Sequence, residues 1–376
     1  MKNIQMVDLK GQYEKIKIEV DRGIQEVIDQ TAFINGPHVK KFSDNLAEYL
    51  GSNVVVPCAN GTDALQIALM ALELNEGDEV IVPAFTYVAT AEVIGLLKLK
   101  PVMVEVDPDT FMITAEEIER VVTPRCKVVV PVHLYGQCAP MEEILAVAKK
   151  YNLYVIEDTA QAIGATYTFS DGRVMQAGTM GDIGCTSFFP SKNLGCYGDG
   201  GAMYTNNIDL GNKLRMIANH GQAKKYHHSV IGCNSRLDTL QAAILDVKLK
   251  HLDIYSRARN TVADAYDMAF GKLDWIKIPA RVANSTHVFH QYTVQLTNAT
   301  DRDSLKEHLQ NLGVPSMVYY PVSLHLQEAF KMPEFGVGDF PICEDLCTRV
   351  LSLPIHTEMN QETLLYIIES VKKFKS

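Results

Sequence analysis

The sequence predicts an α/β fold, with a mostly parallel central sheet flanked by helices and a smaller C-terminal α/β domain. Two observations support this class. Short Val/Ile-rich runs alternate with segments of helical periodicity over residues 78–160, as in parallel strands joined by helical crossovers. The runs are also apolar throughout, which is typical of strands covered on both faces.

The first half of the chain supplies the strands and helices of the large sheet. The predicted strands are DEVIVPAF, PVMVEVD, CKVVVPVHL and YVIEDTA, and the helices between them are TAEVIGLLKL, TAEEIERVV and MEEILAVAKKY. Ligands of open parallel sheets collect beyond the carboxyl ends of the strands. The residues at these ends are therefore candidate site residues, namely Phe85, Thr86, His133 and Asp158.

A different pattern follows residue 235. Residues 235–270 contain no proline and predict one long helix. Residues 287–296 predict a strand, and residues 302–315 and 361–374 predict helices. We therefore expect a large domain at residues 1–250, which includes an N-terminal arm, and a small C-terminal domain at residues 251–376.

Composition limits the classes of function. The 376 residues carry a formal net charge of −10, which argues against nucleic acid or an anionic membrane as the main partner. We expect no signal peptide and no membrane helix, because the charged N-terminal stretch has no long apolar region and no apolar run approaches membrane length. The eight cysteines form no CxxC pair. We expect a cytoplasmic protein with free thiols and no metal site.

Lys192 lies in an unusual setting, the stretch TSFFPSKNLGCYGDGG. An apolar environment lowers the pKa of a lysine and makes its amine a nucleophile toward a carbonyl. The alternative is a lysine that extends into water from a loop. The stretch matches neither a P-loop nor a GxGxxG fingerprint.

Three further segments each allow two interpretations. Gly61 and Thr62 begin a helix that either binds a phosphate or is simply capped by Thr62 or Asp63. Asp158, with Gln161 three residues on, either pairs with a cationic ring nitrogen or caps a helix. The basic cluster around residues 224–236 either binds an anionic substrate or is solvated.

Together, a phosphate turn, an acid for a ring nitrogen and a lysine for an aldehyde suit one cofactor, pyridoxal 5'-phosphate. The chain also resembles the DegT/DnrJ/EryC1/StrS sugar aminotransferase family over nearly its whole length. The segments that carry the resemblance are FINGP, CANGTDALQ, PAFTYVATAE, VHLYGQ, VIEDTAQAIGA, TSFFPSKNLGCYGDGG, NHGQ, NSRLDTLQAAIL and YYPVSLHLQEAF.

The resemblance implies a fold type I (aspartate aminotransferase-like) architecture and a role for each site residue. Lys192 would form the internal aldimine, Asp158 would hold the ring nitrogen, Gln161 would lie by the ring hydroxyl and Phe85 would stack on the ring. The phosphate would be bound by Gly61, Thr62, Ser187 and the neighbouring subunit's Asn234, and the substrate by Arg236, Tyr319 and Tyr320.

The resemblance also implies the reaction and the assembly. The protein would be a homodimer with shared active sites that moves an amino group from L-glutamate to a nucleotide-linked keto sugar. The favoured substrate is the 3-keto group of a UDP-N-acetyl-hexuronate, in surface polysaccharide biosynthesis. Alternatives are a dTDP- or GDP-linked 4-keto or deoxy sugar, a sugar dehydratase, and a binding protein without turnover.

Two positions depart from the family pattern. Thr159 stands where many members of the family have Ala. Tyr319 stands where many have a His that would recognise the sugar. The lysine at position 192 favours transamination, because the related dehydratases carry His there.

Overall fold

The computed structural model describes residues 4–375. Its helices are α1 Leu9–Gln30, α2 Pro37–Leu50, α3 Gly61–Ala71, α4 Ala89–Leu96, α5 Ala115–Val121, α6 Met141–Tyr151, α7 Ile208–Ala218, α8 Thr239–Leu249, α9 Leu252–Phe270, α10 Ala299–Asn311, α11 Pro341–Arg349 and α12 Gln361–Lys372. Its strands are β1 Val54–Cys58, β2 Glu79–Pro83, β3 Lys100–Val104, β4 Cys126–Val129, β5 Tyr154–Asp158, β6 Thr166–Thr168, β7 Val174–Gln176, β8 Ile183–Ser187, β9 Gly201–Thr205, β10 Gln222–Lys224, β11 His227–His228, β12 Ile276–Lys277, β13 Tyr292–Leu296 and β14 Val350–Leu353.

The central sheet has seven strands in the order β1-β9-β8-β5-β4-β2-β3. Only β9 runs antiparallel to its neighbours, β1 and β8; the other pairs are parallel. The predicted mostly parallel sheet is therefore confirmed. Its strands are buried almost throughout, which explains the continuous apolar runs in the sequence.

The prediction of one helix over residues 235–270 is wrong. The chain forms α8 and α9, which are separated at Lys250 and His251. The His251 N–H bonds to the Lys248 carbonyl, three residues back, so the regular four-residue spacing is interrupted. Helix α8 packs against α1 and α2, whereas α9 packs its buried face into a C-terminal apolar cluster. These two packing surfaces require different helix axes.

The predicted strand at residues 287–296 begins later than expected, at Tyr292. Upstream of it, the Val288 N–H bonds to the Gly136 carbonyl at 2.7 Å and the Gln291 N–H to the Tyr135 carbonyl at 3.3 Å. The polar main chain of this segment is thus paired with a loop of the large sheet instead of with another strand.

A second apolar cluster lies in the C-terminal part, around the three-stranded antiparallel sheet β12-β13-β14. Its buried members run from Val262 to Val371. Side chains of α11, including Cys343 and Leu346, instead pack with the core of the large sheet. The domain boundary at residue 250 stays a prediction.

All eight cysteines are free thiols. Within residues 4–375, no helix combines the length and the apolar character needed to cross a bilayer.

Candidate active site

Lys192 lies in the loop that joins β8 to β9 at the carboxyl edge of the sheet. Its main-chain N–H bonds to the Phe189 carbonyl at 2.8 Å. The side chain is partly buried. Desolvation lowers the pKa of its amine to about 8, and the Asp158 carboxylate opposes part of that shift. The amine is therefore not in open water, in contrast to the solvated alternative.

Asp158 ends β5 and is 7% exposed. Its Oδ2 accepts a hydrogen bond from Thr90 Oγ1 at 3.0 Å, and its Oδ1 accepts one from the Ala160 N–H at 3.1 Å. The segment after it is a turn rather than an α-helix, so the helix-capping alternative does not apply. A buried carboxylate of this kind is best stabilised by a nearby cation.

Gln161 bridges two parts of the site. Its Oε1 accepts a hydrogen bond from the Tyr135 N–H at 2.8 Å, and its Nε2 donates to Tyr320 OH at 3.0 Å. Tyr135 OH in turn donates to the Tyr319 carbonyl. The structure therefore brings Tyr320, 159 residues after Gln161 in sequence, and its neighbour Tyr319 to the same edge as Asp158 and Gln161.

The turn before α3 lies directly against the end of β8. A Cβ added to Gly61 would stand 2.6 Å from Ser187 Cβ, so only glycine permits this approach. The capping prediction is wrong in detail: the N-cap is Asn60, whose side chain accepts from the Asp63 N–H. The N–H groups of Gly61 and Thr62 have no acceptor within residues 4–375.

Phe85 and Tyr87 differ in accessibility. The Phe85 ring is 1% exposed; it stacks on Phe111 at 6.0 Å and meets the edge of Tyr320 at 6.2 Å. Tyr87 is 56% exposed, with its ring 6.0 Å from that of Tyr320. Of the two, Tyr87 is the ring with open surface, and it lies beside Tyr320, whose hydroxyl accepts a hydrogen bond from Gln161.

Asn234 and Arg236 are not brought to Lys192 within one chain. Asn234 is exposed and forms a β-bridge with Asn219. Arg236 lines a separate groove of about 1060 Å³ between α2, β1 and α7. The basic residues upstream of them lie on the exposed hairpin β10–β11.

Three residues near the site escaped sequence reasoning: Thr90, Tyr135 and His290. His290 is 5% exposed; burial, Lys192 and Arg259 hold its pKa well below the ordinary value, so the ring is neutral. Its Nδ1 has no partner within the described chain. In the sequence it lies in HVFHQYTV, which predicts a strand and does not mark this histidine as a site residue.

Two other polar residues near Asp158, His133 and Thr159, are internally satisfied, whereas the buried hydroxyl of Thr86, after β2, has no partner within residues 4–375. His133 Nε2 lies 2.8 Å from Glu157 Oε2, and both side chains are fully buried. The hydroxyl of Thr159 donates to the Cys185 carbonyl at 3.0 Å and pairs with Tyr204 OH. The replacement of Ala by Thr at position 159 therefore has a structural explanation.

These residues fit a phosphorylated, nitrogen-containing aromatic aldehyde. Free N–H groups at the start of α3 and the hydroxyl of Ser187 suit a phosphate. At the other side of the edge, Asp158 suits a protonated ring nitrogen and the desolvated amine of Lys192 suits an aldehyde.

Comparison with known proteins agrees with this chemistry. The profile of the DegT/DnrJ/EryC1/StrS aminotransferase family matches residues 14–372. A UDP-2-acetamido-2-deoxy-3-oxo-D-glucuronate aminotransferase from Pseudomonas aeruginosa is 44% identical over 97% of this chain and 98% of its own. A UDP-N-acetyl-3-dehydro-alpha-D-glucosamine 3-aminotransferase from Acidithiobacillus ferrooxidans is 43% identical over 98% and 97%. A protein from Geobacillus stearothermophilus named pleiotropic regulatory protein is 44% identical over 99% and 98%.

Solved structures share the fold. DesV of S. venezuelae, solved in complex with a ketimine intermediate, superposes with a TM-score of 0.95 at 36% identity and covers both chains fully. A Bacillus subtilis protein with bound cofactor PMP, the amine form of the cofactor, gives 0.91 at 30% identity, over 100% of this chain and 85% of its own. The fold type I architecture is thus confirmed. The chain belongs to the DegT/DnrJ/EryC1/StrS aminotransferase family and is a pyridoxal-phosphate-dependent aminotransferase.

Proposed function

We propose that this enzyme transfers the amino group of L-glutamate to the 3-keto group of a UDP-linked N-acetyl-hexuronate, for the synthesis of a surface polysaccharide. The names of two relatives, both enzymes of UDP-linked 3-oxo sugars, support this substrate class. The observation that carries the chemical part is the amine of Lys192, which is desolvated and lies within electrostatic reach of Asp158.

Bound pyridoxal phosphate supplies an aldehyde that exchanges amino groups and a ring that withdraws electrons. We assign the bond to that aldehyde to Lys192. Once free of that bond, the Lys192 amine would take the proton from the α-carbon of the amino donor and pass it to the aldehyde carbon of the cofactor, acting first as a base and then as an acid. A pKa near 8 leaves the amine able to both accept and give up a proton near neutral pH.

The other residues hold the cofactor in place. Asp158, which Thr90 orients, keeps a proton on the ring nitrogen. Gly61, Thr62 and Ser187 bind the phosphate through N–H and hydroxyl groups. For the ring face we propose Tyr87 in addition to the predicted Phe85, since Phe85 is already enclosed by Phe111 and Tyr320.

The assembly is a homodimer in which each subunit completes the site of its partner. The exposure of Asn234 and the position of Arg236 in a groove that Lys192 does not line support this arrangement. Arg236 would bind the sugar carboxylate or a pyrophosphate oxygen through two hydrogen bonds. Eight free thiols support a cytoplasmic location.

The substrate is tested with a coupled assay of purified enzyme and glutamate, comparing a UDP-linked 3-keto hexuronate with UDP-, dTDP- and GDP-linked 4-keto sugars. The proposal expects 2-oxoglutarate to form fastest with the 3-keto hexuronate, and NMR of the product to place nitrogen on C3. Nitrogen on C4 would replace the substrate assignment, and a product lacking both nitrogen and a hydroxyl would indicate a dehydratase.

A second candidate is a regulatory protein without turnover, which the name of the Geobacillus relative brings forward. A regulator does not require a desolvated lysine beside an acid, so Lys192 argues against this candidate. The same assay separates the two: absence of 2-oxoglutarate with every keto sugar, despite bound cofactor, would favour the regulator.

A further inference from the structure

A second lysine, Lys248, is buried behind the loop that carries Lys192. It lies on the last turn of α8 and is 1% exposed. Its Nζ donates a hydrogen bond to the Gly195 carbonyl at 2.5 Å and stands 5.4 Å from the centre of the Tyr197 ring. Desolvation lowers its pKa to about 8; the nearby Cys196 raises the pKa and the guanidinium of Arg259 lowers it.

The stability of the fold does not explain why a lysine is buried at position 248. Within residues 4–375, no carboxylate forms an ion pair with Lys248. A buried ammonium without a counter-ion loses hydration that one carbonyl and one ring replace only in part. Apolar residues of similar volume are often as stable or more stable at such positions. We therefore look for the role of Lys248 in the group that it binds, the Gly195 carbonyl.

The acceptor of Lys248 belongs to a tightly folded loop. Gly195 comes three residues after Lys192, and a Cβ added to it would lie 2.3 Å from the Pro190 carbonyl oxygen. The loop doubles back on itself at this point, with the Cys196 N–H bonded to the Phe188 carbonyl at 2.8 Å. The far side of the loop, at Gly195 and Tyr197, faces helix α8.

Helix α8 holds that far side at two places. Lys248 binds the Gly195 carbonyl, and Gln241 Oε1 accepts a hydrogen bond from the Tyr197 N–H at 2.8 Å. On the opposite side, Asn193 Nδ2 donates to the Val288 carbonyl at 2.8 Å. The neighbours of Lys192 are thus attached to two separate parts of the fold.

We propose that Lys248 is a positioning residue. Its buried hydrogen bond to Gly195 holds the Lys192 loop against α8 and so keeps the Lys192 amine at the position where it meets the substrate. The proposal rests on the proposed role of Lys192 as the residue that bonds the cofactor. A displacement of about 1 Å in such a group can cost about a hundredfold in rate.

The test compares Lys248→Met with Lys250→Met, which alters an exposed lysine two residues on. For cofactor-loaded, full-length Lys248→Met we expect kcat to fall by about tenfold to a hundredfold while KM for the sugar changes by less than about twofold. We expect amide hydrogen exchange to accelerate in the peptide covering residues 189–200 and the melting temperature to stay level or rise. Lys250→Met should match wild type in every measurement.

Two results would overturn the proposal. One is a Lys248→Met enzyme with wild-type kcat and wild-type exchange in residues 189–200. The other is a variant that unfolds, or exchanges faster throughout the molecule, because Lys248 would then support the fold in general. Lys248→Gln, which keeps a donor without the charge, should recover part of kcat. Failure of the proposed role of Lys192 is separately visible, since borohydride reduction of the wild type would then leave the cofactor on a residue other than Lys192.

Discussion

At the scale of single residues, burial and the Asp158 carboxylate act in opposite directions on the pKa of the Lys192 amine. Removal of water from the Lys192 amine favours its neutral form, and the Asp158 carboxylate favours its charged form. The first effect is the larger, which leaves the pKa at about 8. A neutral amine is the form that attacks an aldehyde.

Capture of added pyridoxal phosphate by cofactor-free enzyme should therefore depend on pH. Below pH 8 the rate should rise by about tenfold per pH unit, because the amine loses its proton as pH rises, and it should level off above about pH 8. Stopped-flow absorbance measures this rate. Asp158→Asn should move the midpoint to lower pH, since it removes the group that favours the ammonium. A rate that is flat between about pH 6.5 and 9.5 would contradict the assignment.

The sequence identified Asp158 because the ends of apolar runs mark the ends of parallel strands, and Gln161 by its place three residues on. It identified Lys192 as a lysine in an apolar, glycine-rich stretch. It did not find the exposure of Tyr87, since the position of an aromatic ring after a strand depends on how the loop turns. It also missed His290, which reaches Lys192 only through the pairing of residues 288–291 with the loop at Tyr135. Contacts between segments so far apart along the chain leave no pattern in the local sequence.

At the scale of elements, the close approach of α3 to the end of β8 builds the phosphate turn. Gly61→Ala would place a methyl group against Ser187 and force the two apart. Overpacking of this kind costs about 1–3 kcal/mol. Because it displaces the N–H groups that bind the phosphate, we expect affinity for the cofactor to fall by about fivefold to 150-fold. Fluorescence titration measures the dissociation constant.

Gly95→Ala is the matched control. Gly95 lies in α4 with no atom within 4 Å of an added Cβ. Alanine there should leave cofactor affinity unchanged and stabilise the fold by about 0.5–1 kcal/mol. Equal affinities for the two variants would show that the approach of α3 to β8 does not shape the phosphate site.

Sequence periodicity predicted some elements of this fold and missed others. The strands and helices over residues 78–160 follow from periodicity because each element satisfies its own pattern. The break between α8 and α9 does not, because no glycine or proline marks it and the cause is packing against two different surfaces. The cap at Asn60 instead of Thr62 or Asp63 reflects the usual uncertainty of helix ends.

At the scale of the whole molecule, the proposal of a shared site predicts complementation between two defective subunits. Lys192→Ala lacks the reactive amine, and Asn234→Asp places a carboxylate beside the partner's phosphate. Each variant alone should be inactive. Co-expression should restore up to about a quarter of wild-type activity, because half of randomly formed dimers carry one intact site.

The matched control for this experiment is the co-expression of two differently tagged Lys192→Ala chains, which should stay inactive. Recovery is measured as 2-oxoglutarate formation by dimers purified through both tags. Each of these has one intact site of two, so they should reach up to about half of wild-type activity. If those dimers are inactive although the two chains associate, each site is completed within one subunit.

The most direct measurement of the central claim is borohydride reduction of the cofactor-loaded wild type, followed by peptide mass mapping. Reduction makes the link between a lysine and the cofactor permanent. We predict that the added mass lies on Lys192 alone, in the peptide that contains FFPSKNLG. Added mass on another lysine, such as Lys224 or Lys248, or on none, would contradict the account.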